Sequence, residues 1–274
     1  MSKPATARRA ASASVLLRED RAGIALLVLN RPTASNALSE ALLDALGEAF
    51  ASIRDDRAVR ALVLAANGPA FCAGHDLKEL TSHRNDRDRG RAYFEKMFEQ
   101  SGALTQAIVS LPQPVIASVQ GMATAAGCQL VAACDLVVAT EAARFCTPGV
   151  DIGLFCSTPA VTLSRKVAWN HAMEMLLTAE PISAARAREI GLVNRIVPQG
   201  REREEAFSLA RTIASKSSHV QKLGKEAFYR QGKMDFAEAF AYANAVMAEN
   251  MLAHDAEEGI GAFVEKRAPK WEDR

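Results

Sequence analysis

Gly121-Met122-Ala123-Thr124-Ala125-Ala126-Gly127-Cys128-Gln129-Leu130 is the stretch that decides the fold of this chain. The apolar run Pro114-Val115-Ile116-Ala117-Ser118-Val119 leads into it, so the pattern predicts a buried strand that turns through small residues into an apolar helix. A helix beginning on Ala and Gly leaves its first N–H groups unpaired at the positive end of its dipole, a place suited to an oxyanion. Close helix packing on small residues would use the same composition. A second small-residue loop, Gly68-Pro69-Ala70-Phe71-Cys72-Ala73-Gly74-His75-Asp76-Leu77-Lys78, lies about fifty residues earlier and follows the apolar run Arg60 to Ala65. Glycine there lets backbone approach a ligand and present amides to it.

Working outward, Gly23 to Asn30 is another apolar run, stopped by Arg31-Pro32, and Leu136 to Ala139 repeats the pattern. Ser39 to Ile53 places Leu42, Leu43, Leu46, Phe50 and Ile53 at helical spacing, with Ser39 as N-cap. Strands alternating with helices predict an α/β core. After residue 158 the strand signals fade, and helices are expected at about 158–178, 183–190, 202–217, 219–231 and 235–266. The expected division is a disordered terminus over 1–12, an α/β core over 13–200 and a helical region over 201–274. No Gly/Ser linker, sequence repeat or low-complexity tract interrupts the chain. Asp86-Arg87-Asp88-Arg89 suits a solvated loop.

The 274 residues carry 33 Lys+Arg against 32 Asp+Glu, a net charge of +1. That balance gives no field to hold nucleic acid or an anionic membrane, so neither is an expected partner. No apolar run approaches the roughly 18 residues that span a bilayer. Five cysteines, Cys72, Cys128, Cys134, Cys146 and Cys156, form no CxxC pair and suit reduced, buried thiols. The first eighteen residues hold Lys3, Arg8, Arg9 and Arg18 and no acid. They suit a free terminus of a cytoplasmic protein, or a transit segment to the mitochondrial matrix. His75, His83, His171, His219 and His254 show no metal-ligand spacing, so no metal is expected. Neither Ser118 nor Ser157 sits in a nucleophile elbow, which counts against a serine peptidase.

The two small-residue loops together resemble the two signatures of the enoyl-CoA hydratase/isomerase (crotonase) family. Asn36-Ala37-Leu38, Phe145 to Pro148, Ile152-Gly153, Ile182-Ser183-Ala184, Gly191-Leu192-Val193 and Gly261 to Arg267 match that family in order, from about residue 13 to residue 270. The resemblance implies a ClpP/crotonase-like spiral of ββα units with a C-terminal helical region that trimerises, as a homotrimer or a hexamer built as a dimer of trimers. It implies an acyl-CoA thioester as ligand, with no separate cofactor, its carbonyl oxygen accepting from the backbone amides of His75 and Ala126. It also implies contacts to coenzyme A from Asn36, Ala37, Leu38, Ala73, His75, Asp76, Leu77 and Lys78. Phe263 and Lys266 would reach coenzyme A on a neighbouring subunit.

Hydratases of that family use two glutamates to position water and move its proton. Aligned on the motifs, Gln129 takes the first of these positions and Gly149 the second. Neither can transfer a proton at ordinary pH, although an amide can orient water and Gly149 would leave space. If residues 149–151 are extended, Asp151 points to the same side as Gly149 and is the nearest surrogate acid. Glu95 and Glu99 share a helix face that serves equally as a pocket wall or a solvated surface. Ser157 or Thr158 suits an N-cap, and Cys156 has no partner base in the sequence. Two functions stay open: an atypical or weak lyase or isomerase of acyl-CoA metabolism, and a non-catalytic acyl-CoA binder that lost both acids.

Overall fold

A computed structural model describes residues 14–274; the terminus expected over 1–12 lies outside the described residues. The chain begins with β1 (Leu16–Arg21), β2 (Ile24–Leu29), α1 (Glu40–Asp55), β3 (Ala61–Ala66), β4 (Ala70–Cys72), α2 (Leu77–Ser82) and α3 (Arg91–Ser110). It continues with β5 (Val115–Val119), β6 (Met122–Thr124), α4 (Ala126–Ala133), β7 (Leu136–Thr140), β8 (Arg144–Cys146), α5 (Ser157–Lys166) and α6 (Trp169–Thr178). Then come β9 (Ile182–Ser183), α7 (Ala184–Glu189), β10 (Arg195–Val197), α8 (Glu202–Ala214), α9 (Ser218–Gln231), α10 (Phe236–Met251) and α11 (His254–Glu265).

The strands sort into two sheets, ordered β1-β2-β3-β5-β7-β10 and β4-β6-β8-β9. Each of the pairs β3-β4, β5-β6 and β7-β8 sends its first strand to the large sheet and its second to the small one before a helix follows. This is the ββα spiral, a structural repeat that the sequence does not spell out. All pairings are parallel except β1 with β2 and β8 with β9. Parallel strands covered on both faces favour apolar residues at successive positions, which is why β2 and β3 read as unbroken apolar runs and β5 as one interrupted only by the buried Ser118.

Alternation along those strands divides the core. Leu27, Leu29, Leu62, Leu64, Val115 and Ala117 pack with the buried stripe of α1, whose Ser39 cap accepts from Leu42 N. Ile24, Leu26, Val28, Val63 and Ile116 point the other way and meet Ala206 and Ala210 of α8. The helical region therefore begins with a helix that completes the core. From α9 onward, large apolar side chains stay exposed, among them Phe228, Phe236, Phe240, Leu252, Phe263 and Val264.

Two expected helices are each broken. The 158–178 segment divides into α5 and α6 at Val167 and Ala168, both extended, and 235–266 divides at Leu252 and Ala253. Cys156, not Ser157 or Thr158, occupies the cap position of α5, and it makes no side-chain cap bond.

Asp135, between α4 and β7, ties the layers together. Its carboxylate accepts from Val115 N at 2.7 Å, Lys225 Nζ at 2.7 Å and Tyr229 Oη at 2.9 Å. Lys166 Nζ donates to Cys134 O and Asp135 O, so the end of α5 reaches the same point. No residue of α9 is fully buried, yet the Lys225 side chain is 8% exposed, so this ion pair is its deepest attachment. Asp135→Ala leaves a buried ammonium and an amide without their carboxylate, and is expected to cost about 3 kcal/mol in denaturant unfolding. A loss below about 1 kcal/mol, the scale of a surface pair, would contradict this role.

Candidate active site

Parallel pairing of Ala70 with Met122 and Cys72 with Ala123 places the two small-residue loops side by side at the ends of β4 and β6. A methyl group on Gly74 would come within 3.1 Å of Ala125 Cβ and Thr124 O and 3.4 Å of Ala126 N. One on Gly127 would come within 2.2 Å of Cys72 O, so α4 begins directly against the backbone of β4. Only glycine permits either approach.

Both expected amides are unspent. Leu38 forms a parallel bridge to His75, in which Leu38 N donates to Gly74 O and Asp76 N donates to Leu38 O. That pattern turns the His75 N–H away from Leu38, and it has no acceptor among the described residues. Ala126 is the first residue of α4, where an N–H has no intrahelical acceptor. Ala125 before it has φ 50° and ψ −116°, a conformation costing about 1–3 kcal/mol for a side-chain-bearing residue. Ala125 N donates to Cys146 O at 3.0 Å, which holds the turn that aims the next amide.

The other expected contact residues divide by exposure. Asn36 is fully buried at φ 53°, its Oδ1 accepting from Arg31 N and its Nδ2 donating to Asn67 O and Ala70 O. Its side chain is committed to bracing the loop. Ala37 and Leu38 are buried as well. Asp76 caps α2 through Lys78 N and Glu79 N and pairs with Arg31 at 3.0 Å. Its environment sets desolvation against these bonds, and the net effect holds the carboxyl below its ordinary range. Ala73, Leu77 and Lys78 are exposed at the lip, and Lys78 forms no ion pair among the described residues. Phe263 and Lys266 lie exposed at the end of α11, which packs on α9 and α10.

The two positions expected to align with the family's glutamates, Gln129 and Gly149, are both closed. Gln129 is 2% exposed; its Nε2 donates to Thr105 Oγ1 at 2.7 Å, and Thr105 passes the bond to Ser101 O at 2.9 Å. Gln129 Oε1 is buried without a partner. Gly149 leaves no space: a methyl group there would lie 2.9 Å from Cys156 Sγ and from Leu154 O. The chain after Gly153 folds back, and the Cys156 thiol takes the place where a side chain at 149 would start. Residues 148–152 form a 3-10 helix, not a strand, so Gly149 and Asp151 do not share a strand face. Asp151 is exposed, which removes the geometric basis for it as surrogate acid. Glu95 and Glu99 are also exposed; Glu95, paired to Arg91 at 3.4 Å, is in the wall of an open cavity at the head of α3, and Glu99 is on the solvated surface.

Burial keeps the imidazole and the thiols near the loops in their neutral forms. Burial lowers the His75 imidazole to about 4, and both its ring nitrogens are buried without partners. Its ring meets Phe98 edge-on at 5.3 Å. All five cysteines are free and buried. Burial pushes Cys128, Cys146 and Cys156 up, although the Gly149 N–H donated to Cys156 Sγ opposes this at Cys156. Arg31, Phe98, Thr105 and Cys146 belong to the site without having been singled out as site residues. Phe98, four residues after Phe94 on one helix face, is the one with a visible signal. Leu77, Phe98, Ile152, Leu154 and Phe155 leave an apolar mouth of exposed side chains on the segments around the loops.

Comparison with known proteins agrees with this architecture. The sequence model of the enoyl-CoA hydratase/isomerase family matches residues 19–274. The rat enoyl-CoA hydratase domain-containing protein 3, mitochondrial, is 44% identical over 249 residues, which cover 91% of this chain and 81% of that protein. The crystal structure of an enoyl-CoA hydratase from Mycobacterium smegmatis is similar, with a TM-score of 0.89 and 51% identity, covering 94% of this chain and 98% of that one. The crystal structure of human enoyl Coenzyme A hydratase domain-containing protein 3 has a TM-score of 0.89 and 43% identity, covering 94% of this chain and all of that one. With the crotonase fold and both loop signatures in place, the chain belongs to the enoyl-CoA hydratase/isomerase family.

Proposed function

We propose that the protein binds an acyl-CoA thioester and polarises its carbonyl between the amides of His75 and Ala126, stabilising an enolate-like state. The observation that carries this reading is that these two N–H groups, with no acceptor among the described residues, are on two loops so closely packed that a side chain on Gly74 would crowd Ala125 and Ala126. Preorganised donors of this kind act on charge as it develops, and each is worth about 100- to 1,000-fold in rate. The site's own protein groups supply no paired carboxylates, so ordinary hydration of an enoyl-CoA is not its efficient reaction. The chemistry favoured is weak or atypical turnover within the family's hydratase and isomerase reactions.

A second reading, a non-catalytic acyl-CoA binder, is favoured by the closed position at Gly149, where a proton-transfer group has no room to return. In both readings Ala73, Leu77 and Lys78 border the coenzyme A moiety, Ala37, Leu38 and Asp76 support that border, and no cofactor beyond the substrate's own coenzyme A is required. The apolar side chains left exposed on α9 to α11 support a homotrimer or hexamer, in which Phe263 and Lys266 reach a neighbour's ligand. We place the protein in the cytoplasm, or in the mitochondrial matrix if the first eighteen residues direct import.

Ala126→Pro removes an N–H that has no helical partner, at a helix position whose φ proline fits. Because the residue before a proline is itself restricted and Ala125 is already strained, a matched thermal unfolding curve is recorded to separate loss of the donor from misfolding of the turn. With purified protein, calorimetry is expected to show butyryl-CoA binding that the variant weakens by about tenfold, the scale of one hydrogen bond. Crotonyl-CoA followed by absorbance is expected to hydrate slowly, and the variant to lose that rate by about 100-fold or more. Binding with no turnover of any thioester selects the second reading, and absence of butyryl-CoA binding contradicts both. Light scattering is expected to report three or six chain masses, and a monomer would contradict the assembly.

A further inference from the structure

A cavity of about 490 Å³ opens at the N-terminal end of α3, lined by Arg84, Asp88, Arg89, Arg91, Phe94 and Glu95. Its two acids are already engaged. Asp88 Oδ1 accepts from Gly90 N at 3.0 Å and Oδ2 from Ala92 N at 2.9 Å, bonds that hold its carboxyl below the ordinary range. Glu95 pairs with Arg91 at 3.4 Å. Arg84 and Arg89 have no ion-pair partner among the described residues, so two guanidinium forks remain with their donors unspent.

The turn that carries them is held at both ends. His83 stacks on Tyr93 at 3.6 Å and bonds Asp86 at 2.7 Å. Arg89 and Gly90 are consecutive left-handed residues, at φ 61° and 85°. A methyl group on Gly90 would come within 2.8 Å of both His83 O and the Phe94 ring. Phe94 and Phe98 are one helical turn apart, about 6 Å along the axis. Phe98 meets the His75 ring, and the His75 amide is one of the two carbonyl donors. Phe98, against His75, and Phe94, in the cavity wall, are therefore neighbours on one face of α3 and connect the His75 loop to the cavity with the unpaired arginines.

We propose that the acyl group taken by this site ends in a carboxylate, bound by Arg84 and Arg89 in the cavity at the head of α3. The apolar stretch accepts the methylene chain, and the arginine forks accept the terminal carboxylate in the bidentate geometry they favour. The inference rests on the thioester-binding reading above and adds its substrate class, a dicarboxylic acyl-CoA. The phosphates of coenzyme A are a second source of negative charge, and the experiment separates the two.

Calorimetry on the full chain compares adipyl-CoA and suberyl-CoA with hexanoyl-CoA and octanoyl-CoA, for the wild type and for Arg84→Gln combined with Arg89→Gln. The carboxylate-ended ester is expected to bind about tenfold tighter than its methyl-ended counterpart, and added salt to narrow the gap. The double variant is expected to erase that preference and leave hexanoyl-CoA affinity unchanged. Equal affinity of the two classes for the wild type overturns the inference and leaves the thioester reading standing. Equal weakening of all four esters in the double variant also overturns it, by assigning the arginines to the phosphates. Failure of all four to bind the wild type refutes the underlying reading as well.

Discussion

The contact between Gly74 and the Ala125-Ala126 turn is the constraint on which the rest of the site depends. Two peptide N–H groups can face one oxygen only if two chain segments approach to backbone distance, and a side chain on either glycine of the pair, Gly74 or Gly127, would separate them. The spiral of ββα units supplies the approach by ending β4 and β6 side by side. Asn36 and Arg31 then fix the first loop from behind: Asn36 bonds Asn67 and Ala70, and Arg31 spans Ala37 and Asp76. The strained Ala125 is the cost of turning the second loop into α4 at that point.

What the proposed site offers is electrostatic, since neither Gln129 nor Gly149 is a proton-transfer group. Gln129 is drawn toward α3 by Thr105, and Gly149 lies beneath Leu154 and Cys156. Around them His75 is neutral and the neighbouring thiols are held protonated by burial. A site of this kind can bind a thioester and favour charge on its oxygen without offering a carboxylate to activate water. In the proposed reading, the apolar lip and the face of α3 give the acyl group its direction, and the arginines at the head of that helix give it an end.

Much of this was legible in the residues because the decisive features are local. Apolar runs marked the parallel strands, and Ala and Gly marked the two loops whose backbones must approach. Gln129 and Gly149 were legible as departures for the same reason. Their surroundings were not: the thiol over Gly149 comes from the return of residues 153–156, a fold-back that no periodicity announces. The extended geometry expected at 149–151 gave way to a 3-10 turn starting at Pro148, whose fixed φ suits the first turn of a helix. Asn36 looked like a ligand contact in the sequence, yet burial has turned its amide into a brace. The place of α8 on the large sheet was hidden because Ala206 and Ala210 are small and mark no wide apolar stripe.

The central claim concerns one carbonyl, so its most direct test is the infrared spectrum of butyryl-CoA labelled with carbon-13 at the thioester carbon and bound to the protein. Donation from the His75 and Ala126 amides predicts that the carbonyl stretch moves to lower frequency than in free butyryl-CoA, and that the Ala126→Pro variant returns most of the shift. A bound carbonyl at the frequency of the free ester would show that the two amides do not face it, and would contradict the account.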